Sequence, residues 1–292
     1  FFSAGSYELF EKQAPNVQKE IKKEFTIIEE PNDKAIKKSK KLGYIPTKSK
    51  TASVNENRGD FLPSTTQMAI DYLSSRSTNG FFLMVEGGKI DWACHGNDAA
   101  TVFNEVKDMD DAIKVAYEFY KKHPKETLIV VTADHETGGI VLGTGKYALN
   151  LKALQYQKHS ADGLSRRISE LRKSKGNKVT WEDMKEFLGE EMGFWKQFPI
   201  SWEQEKKLRD EFEQSFVRNK VVFAESMYSK SEPMAARAKE VMDQISMVGW
   251  VSGGHSAGYV PVFAIGAGSQ LFGEKIDNTE IPKRIAKAAG YK

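Results

Sequence analysis

Apolar and polar positions along the chain divide it into recognisable stretches. Gly80-Phe81-Phe82-Leu83-Met84-Val85 and Thr127-Leu128-Ile129-Val130-Val131-Thr132 are continuous apolar runs, the pattern of strands buried on both faces of a parallel sheet. Between them Val102, Val106, Met109, Ile113 and Tyr117 recur at three- and four-residue intervals, which predicts a helix closing a right-handed βαβ unit. Residues 16–50 mix Lys and Glu with Val17, Ile21, Phe25 and Ile36, and read as helices joined by the Pro31-Asn32-Asp33 turn. Beyond Gly145 the pattern turns to amphipathic helical segments. Thr180-Trp181-Glu182-Asp183 and Ser201-Trp202-Glu203-Gln204 read as helix starts, and Leu208, Phe212 and Phe216 read as a core stripe. Strand character returns at Val260-Pro261-Val262-Phe263-Ala264-Ile265. A last helix is predicted from about Glu280, with Pro282 in its first turn and Gly290 as its C-cap. The expected architecture is α/β: a mostly parallel sheet flanked by helices over residues 1–145, a mainly helical insertion over 146–248, and a return to the core over 249–292.

Composition narrows the classes. A chain of 292 residues with 40% hydrophobic content can bury one large α/β core plus an elaboration. Its net charge of +3 comes without a concentrated basic tract, which argues against nucleic acid or a membrane surface as partner. No apolar run approaches the length needed to span a bilayer. Phe1-Phe2-Ser3-Ala4-Gly5 shows neither an initiator Met nor a signal-peptide pattern, so the sequence reads as cut from something longer. Cys94 is the only cysteine, which excludes an intrachain disulfide and leaves the redox compartment open.

Candidate chemistry collects where the apolar runs end. Glu86 closes the first run, and a carboxylate at the end of a buried strand needs a partner or a metal. Asp91 and His95 follow at four-residue spacing, which on a helical turn puts a carboxylate and an imidazole on one face, as two ligands of one ion require. Taken alone, such a pair also occurs on ordinary helix surfaces. The second run ends in Asp134-His135, where open α/β sheets bind ligands, although Asp is also a common turn residue. Ser252-Gly253-Gly254-His255-Ser256 precedes the third run, its glycines allowing close approach of the backbone to a crowded site. His123 and His159, in Lys-rich surroundings, are expected on the surface.

The segment from Gly80 through Glu86-Gly87-Gly88-Lys89-Ile90-Asp91-Trp92-Ala93-Cys94-His95, the segment Thr132-Ala133-Asp134-His135-Glu136-Thr137-Gly138-Gly139, and His255-Ser256 before Val260-Pro261-Val262 together resemble the alkaline phosphatase family in order and spacing. The tail Asp277-Asn278-Thr279-Glu280-Ile281 resembles that family's closing motif. The resemblance is specific over about residues 62–143 and 249–289. It implies two zinc ions, one held by Asp91, His95 and His255 and the other by Asp134 and His135, and a magnesium ion bound by Glu86. It further implies hydrolysis of phosphate monoesters through a serine nucleophile, a homodimer, and a periplasmic or secreted location.

Three departures from the family pattern stand out. The nucleophile motif, an Asp-Ser followed by a small residue, is not identifiable between Phe1 and Asn79, nor are the early bridging Asp and the phosphate-clamping Arg. A missing N-terminal segment is therefore expected to carry them, and this chain alone is expected to be nearly inactive. Trp92 occupies a position where relatives vary, and Ser256 stands where Thr is commoner, keeping the hydroxyl. Competing readings are another hydrolase of the wider superfamily, such as a phosphodiesterase or sulfatase, and a metal-binding protein without catalysis.

Overall fold

The computed structural model describes residues 1–145, 148–176, 178–228 and 230–291. The chain forms two compact units, one of Phe1–Gly87, Lys107–Val130 and Ala264–Lys292, the other of Gly88–Val106 and Val131–Phe263. The class is mixed α/β with many helices and short strands. The expected insertion over 146–248 falls within the second unit, its first two residues, 146 and 147, lying outside the described ones. No helix among the described residues is long and apolar enough to cross a membrane.

In the first unit, residues 2–44 form a three-stranded parallel sheet with Leu42–Tyr44 between Phe2–Ser3 and Thr26–Ile28. The sequence pattern predicts only helices over residues 16–50. Helices do form at Pro15–Glu24 and Asp33–Lys38, but Thr26-Ile27-Ile28 is a β-branched run that prefers the pleat. The expected turn at Asn32 is a helix N-cap, its side chain accepting from Ala35 N at 2.9 Å. Gly43 sits where a Cβ would approach Ile27 and the Phe2 ring to 2.6 Å, so the central strand has room for no side chain there. Ile28, Leu42, Tyr44 and Tyr72 form the core of this unit.

The expected strand at 80–85 is a correction. Residues 81–87 lie in no helix or strand and pair with no strand among the described residues. Phe82 and Met84 are 61% and 76% exposed, while the alternate Phe81, Leu83 and Val85 are half-buried. Alternation of this kind is the burial pattern of a strand without its ladder, and Glu86 at its end is exposed rather than buried. The second run does form a strand, Leu128–Val131, paired with Phe263–Gly266. That partner starts later than expected because Pro261, with no N–H, cannot donate to a ladder. The predicted helix between the runs spans Ala99–Lys122, and the last helix spans Ile281–Ala288, with Gly290 beyond it at φ 71°.

The second unit is built on a helical core. Both expected helix starts are capping boxes: Thr180 with Asp183 opens Trp181–Met192, and Ser201 with Gln204 opens Trp202–Phe212. Leu208, Phe212 and Phe216 are buried as the four-residue spacing predicts, although Phe216 belongs to a π-helical turn, Glu213–Val217. There the Phe212 and Phe216 rings stack at 5.1 Å and the Arg172 guanidinium covers Phe216 at 3.7 Å. His159 is half-buried, 3.3 Å from the buried carboxylate of Glu191, and so is less exposed than expected. His123 lies on the surface.

Candidate metal centre

The helix Gly88–His95 carries Asp91 and His95 on consecutive turns, as their spacing predicts. Asp98, just beyond, anchors this region. Its carboxylate accepts from Thr101 N at 3.2 Å, opening the next helix, and from Gln157 Nε2 and Ala161 N, both at 2.7 Å. His255 arrives from far along the chain through a short antiparallel ladder in which His255 faces Thr137 and Ser256 faces Glu136. The separation in sequence is thus bridged by two residue pairs. Glu136 fastens the junction, accepting from the Ser256 hydroxyl and from Gly139 N. A glycine allows the approach: a Cβ on Gly138, at φ 82°, would lie 2.9 Å from the Trp250 ring and 3.0 Å from Cys94 O.

Three side chains converge. His95 Nε2 lies 3.0 Å from His255 Nε2 and 3.5 Å from Asp91 Oδ1, and His255 Nε2 lies 3.7 Å from the same oxygen. His95 is buried, and its Nδ1 donates to Gly253 O at 2.7 Å, since a carbonyl can only accept. That bond leaves the His95 Nε2 lone pair facing His255 and Asp91. A tetrahedral ion with N and O donors at about 2.0–2.1 Å has ligand-to-ligand edges of about 3.3–3.4 Å. The three observed separations bracket that value, so the donor set fits a zinc ion in size and in type.

Asp134 and His135 form a second pair. Thr137, to which the sequence pattern gives no role, links the pair to the cluster: its hydroxyl donates to Asp91 Oδ1 at 2.6 Å and so accepts from His135 Nδ1 at 3.2 Å. The His135 Nε2 lone pair then faces Asp134 Oδ2 at 3.3 Å, two acceptors at the spacing of two ligands of one cation. The His135 ring stacks on His255 at 3.6 Å, and Asp91, His135 and His255 also offer ligand atoms within 4.8 Å of one another. The three imidazoles therefore adjoin, and geometry alone does not divide them between two ions. Asp134 is 85% exposed. Glu86 belongs to the other unit, where it is exposed. Burial pushes the Cys94 thiol up to about 12, which keeps it a neutral thiol in the metal-free chain.

Comparison with known proteins gives a consistent result. The family profile described as alkaline phosphatase matches residues 42–291. Alkaline phosphatase 3 of Bacillus subtilis (strain 168) is 32% identical over 98% of this chain and 57% of its own length. Alkaline phosphatase 4 of the same organism is 33% identical over 77% of this chain and 43% of its own length. Among solved structures, a cold-active alkaline phosphatase from Shewanella sp. superposes with a TM-score of 0.73 at 25% identity, over 98% of this chain and 64% of that one. The enzyme of the Antarctic bacterium TAB5 superposes at 0.59 with 25% identity, over 100% of this chain and 61% of that one, and a mutant of it has Mg bound in its M3 site. The chain thus spans about half the length of the curated relatives it matches.

Proposed function

Because the chain belongs to the alkaline phosphatase family, we propose that Asp91, His95 and His255 hold one zinc ion and Asp134 and His135 a second, within a hydrolase that cleaves phosphate monoesters to an alcohol and inorganic phosphate. The observation that carries this reading is the near-tetrahedral spacing of the His95, His255 and Asp91 donors, with the His95 lone pair aimed inward by Gly253 O. Bound there, zinc supplies Lewis acidity toward phosphoryl oxygens. The chain's own side chains do the rest of the site-building. Gly253 fixes the His95 tautomer, Thr137 orients Asp91 and His135, and Glu136 locks the strand that delivers His255.

Glu86 offers magnesium an oxygen donor of the preferred kind, but one carboxylate fills little of an octahedral shell, so magnesium alone is expected to bind this chain weakly. The serine nucleophile is taken to lie outside residues 1–79, so turnover of p-nitrophenyl phosphate is expected of a longer protein and very little of it from this chain.

Calorimetric titration of the metal-free chain with zinc tests the reading. One tight ion and one weaker ion are expected, with the tight one lost in His255→Ala. Equal zinc binding with and without the His255 imidazole overturns the assignment. Robust zinc-dependent turnover by the chain as it stands overturns the placement of the nucleophile.

A further inference from the structure

We propose that Tyr228, on the hairpin Ala224–Glu225 to Lys230–Ser231, is a positioning residue that clamps His95 and so sets how firmly the site holds zinc. The inference rests on the metal-site reading above. Trp92 and His95 are three residues apart, neighbours on one helix face, and Tyr228 covers both. Its ring stacks on Trp92 at 5.4 Å with planes 12° apart, and meets the His95 ring edge-on at 5.1 Å and 73°. The Lys89 ammonium lies over the Trp92 ring at 3.4 Å, so the indole takes part in two contacts at once.

The hairpin also reaches the other support of His95. A Cβ placed on Gly253, whose carbonyl accepts from His95 Nδ1, would lie 3.9 Å from Ser226 Cβ. One short segment thus meets the imidazole through Tyr228 and places Ser226 beside the loop that supplies its hydrogen-bond acceptor.

What fixes the hairpin is the helical layer. Its two arms are joined by the Lys230–Glu225 ion pair at 2.7 Å. The second arm runs into the buried residues Ser231 and Glu232. Glu232 N donates to Ser165 Oγ at 3.0 Å, and the Glu232 carboxylate caps the helix Pro233–Ser246 through Met234 N at 2.7 Å while pairing with Arg172 at 3.2 Å. The arm that follows Tyr228 is therefore tied into the buried helical layer. Tyr228 itself is 49% exposed, so its contacts serve the His95 face more than the core. Although residues 146–248 contribute no ligand in the proposed assignment, they would hold one in place.

The test uses the full chain with zinc as the probe, in Tyr228→Ala and Tyr228→Phe. Zinc release into a chelator is followed by stopped flow, affinity by chelator competition, and the melting temperature in the metal-free state. Tyr228→Ala is expected to release zinc about tenfold faster and bind it about tenfold more weakly, as for other changes to the partners of a ligating histidine. The melting temperature is expected to stay unchanged. Because the contacts are made by the ring, Tyr228→Phe is expected to behave as wild type. Unchanged zinc release in Tyr228→Ala, failure of Tyr228→Phe to rescue, or a fall in metal-free stability matching the lost affinity each overturns the proposal. A wild-type chain that takes up no zinc overturns the metal-site reading and this inference together, whereas zinc binding insensitive to Tyr228 overturns this inference alone.

Discussion

Asp243 tests how the loop bearing His255 is anchored. It lies on the helix Pro233–Ser246 and accepts from Trp250 Nε1 at 3.0 Å, and Trp250 in turn packs on Ala93 and Cys94 in the helix that carries Asp91 and His95. Burial pushes the Asp243 carboxyl from its ordinary 3.8 up to about 8, with Lys239 opposing the rise and Asp98 and Glu240 adding to it. The native state therefore keeps a proton that the unfolded chain has already released between about pH 4 and 8. Stability falls as pH rises through that window and levels off above it. At about 1.4 kcal/mol per pH unit, going from pH 5 to 8 costs roughly 4 kcal/mol from this one group. Asp243→Asn retains an acceptor for Trp250 and cannot ionise.

Urea unfolding of both proteins at pH 5 and pH 8, with EDTA present to remove metal linkage, isolates the effect, because all other titrating groups cancel in the difference. The variant is expected to gain on wild type by roughly 4 kcal/mol over that interval. A gap that stays constant with pH, or that widens toward acid, refutes the reasoning.

Thr137→Val keeps the shape and the strand pairing but removes the hydroxyl between Asp91 and His135, so zinc affinity by chelator competition should fall about 10- to 100-fold with little change in metal-free stability. Gly138→Ala forces a methyl toward Trp250 and Cys94 O at a positive φ, and should lower stability by about 2 kcal/mol or more in denaturant unfolding. Arg58 and Asp108 form a buried ion pair at 2.6 Å, and Arg58→Ala should cost about 3–5 kcal/mol by leaving a buried charge, whereas replacing both by apolar residues of similar size should cost far less. Cys94 in the native chain should resist iodoacetamide at pH 8, where only about one thiol in ten thousand is ionised; rapid alkylation without unfolding would contradict its burial.

Much of this molecule was legible because local chemistry decided it. The capping boxes at Thr180 and Ser201 specify their helices with two hydrogen bonds each, whatever packs around them. Asp91 and His95 share a helix face by spacing alone. The stripe of Leu208, Phe212 and Phe216 shows that burial follows period even when the backbone departs from it, since Phe216 stays in the core through a π-helical turn. Thr137 and Glu136 lie inside the motif from Thr132 to Gly139 without any sign of their roles, because a hydroxyl or a carboxylate that orients a ligand has no spacing signature of its own. Their function appears only once the strand bearing His255 is laid against them.

The residues from Gly80 to Glu86 show where such reading stops. Their apolar run has the composition of a strand with neighbours on both sides, and composition reports the environment a segment suits rather than the partner that provides it. In the structure burial alternates along the run as a strand requires, but no ladder partner lies among the described residues, and Phe82 and Met84 face outward. The same holds for Glu86: the argument that it must be neutralised depends on a burial it does not have here. The histidine cluster needs no such neighbour. His95, His255 and Asp91 are each fixed by bonds within one unit, to Gly253 O, to the Thr137 and Glu136 strand, and to the Thr137 hydroxyl. A site closed by short-range hydrogen bonds keeps its geometry although the apolar run at 80–85 pairs with no strand among the described residues, and for that reason zinc binding is the property of this chain to measure first.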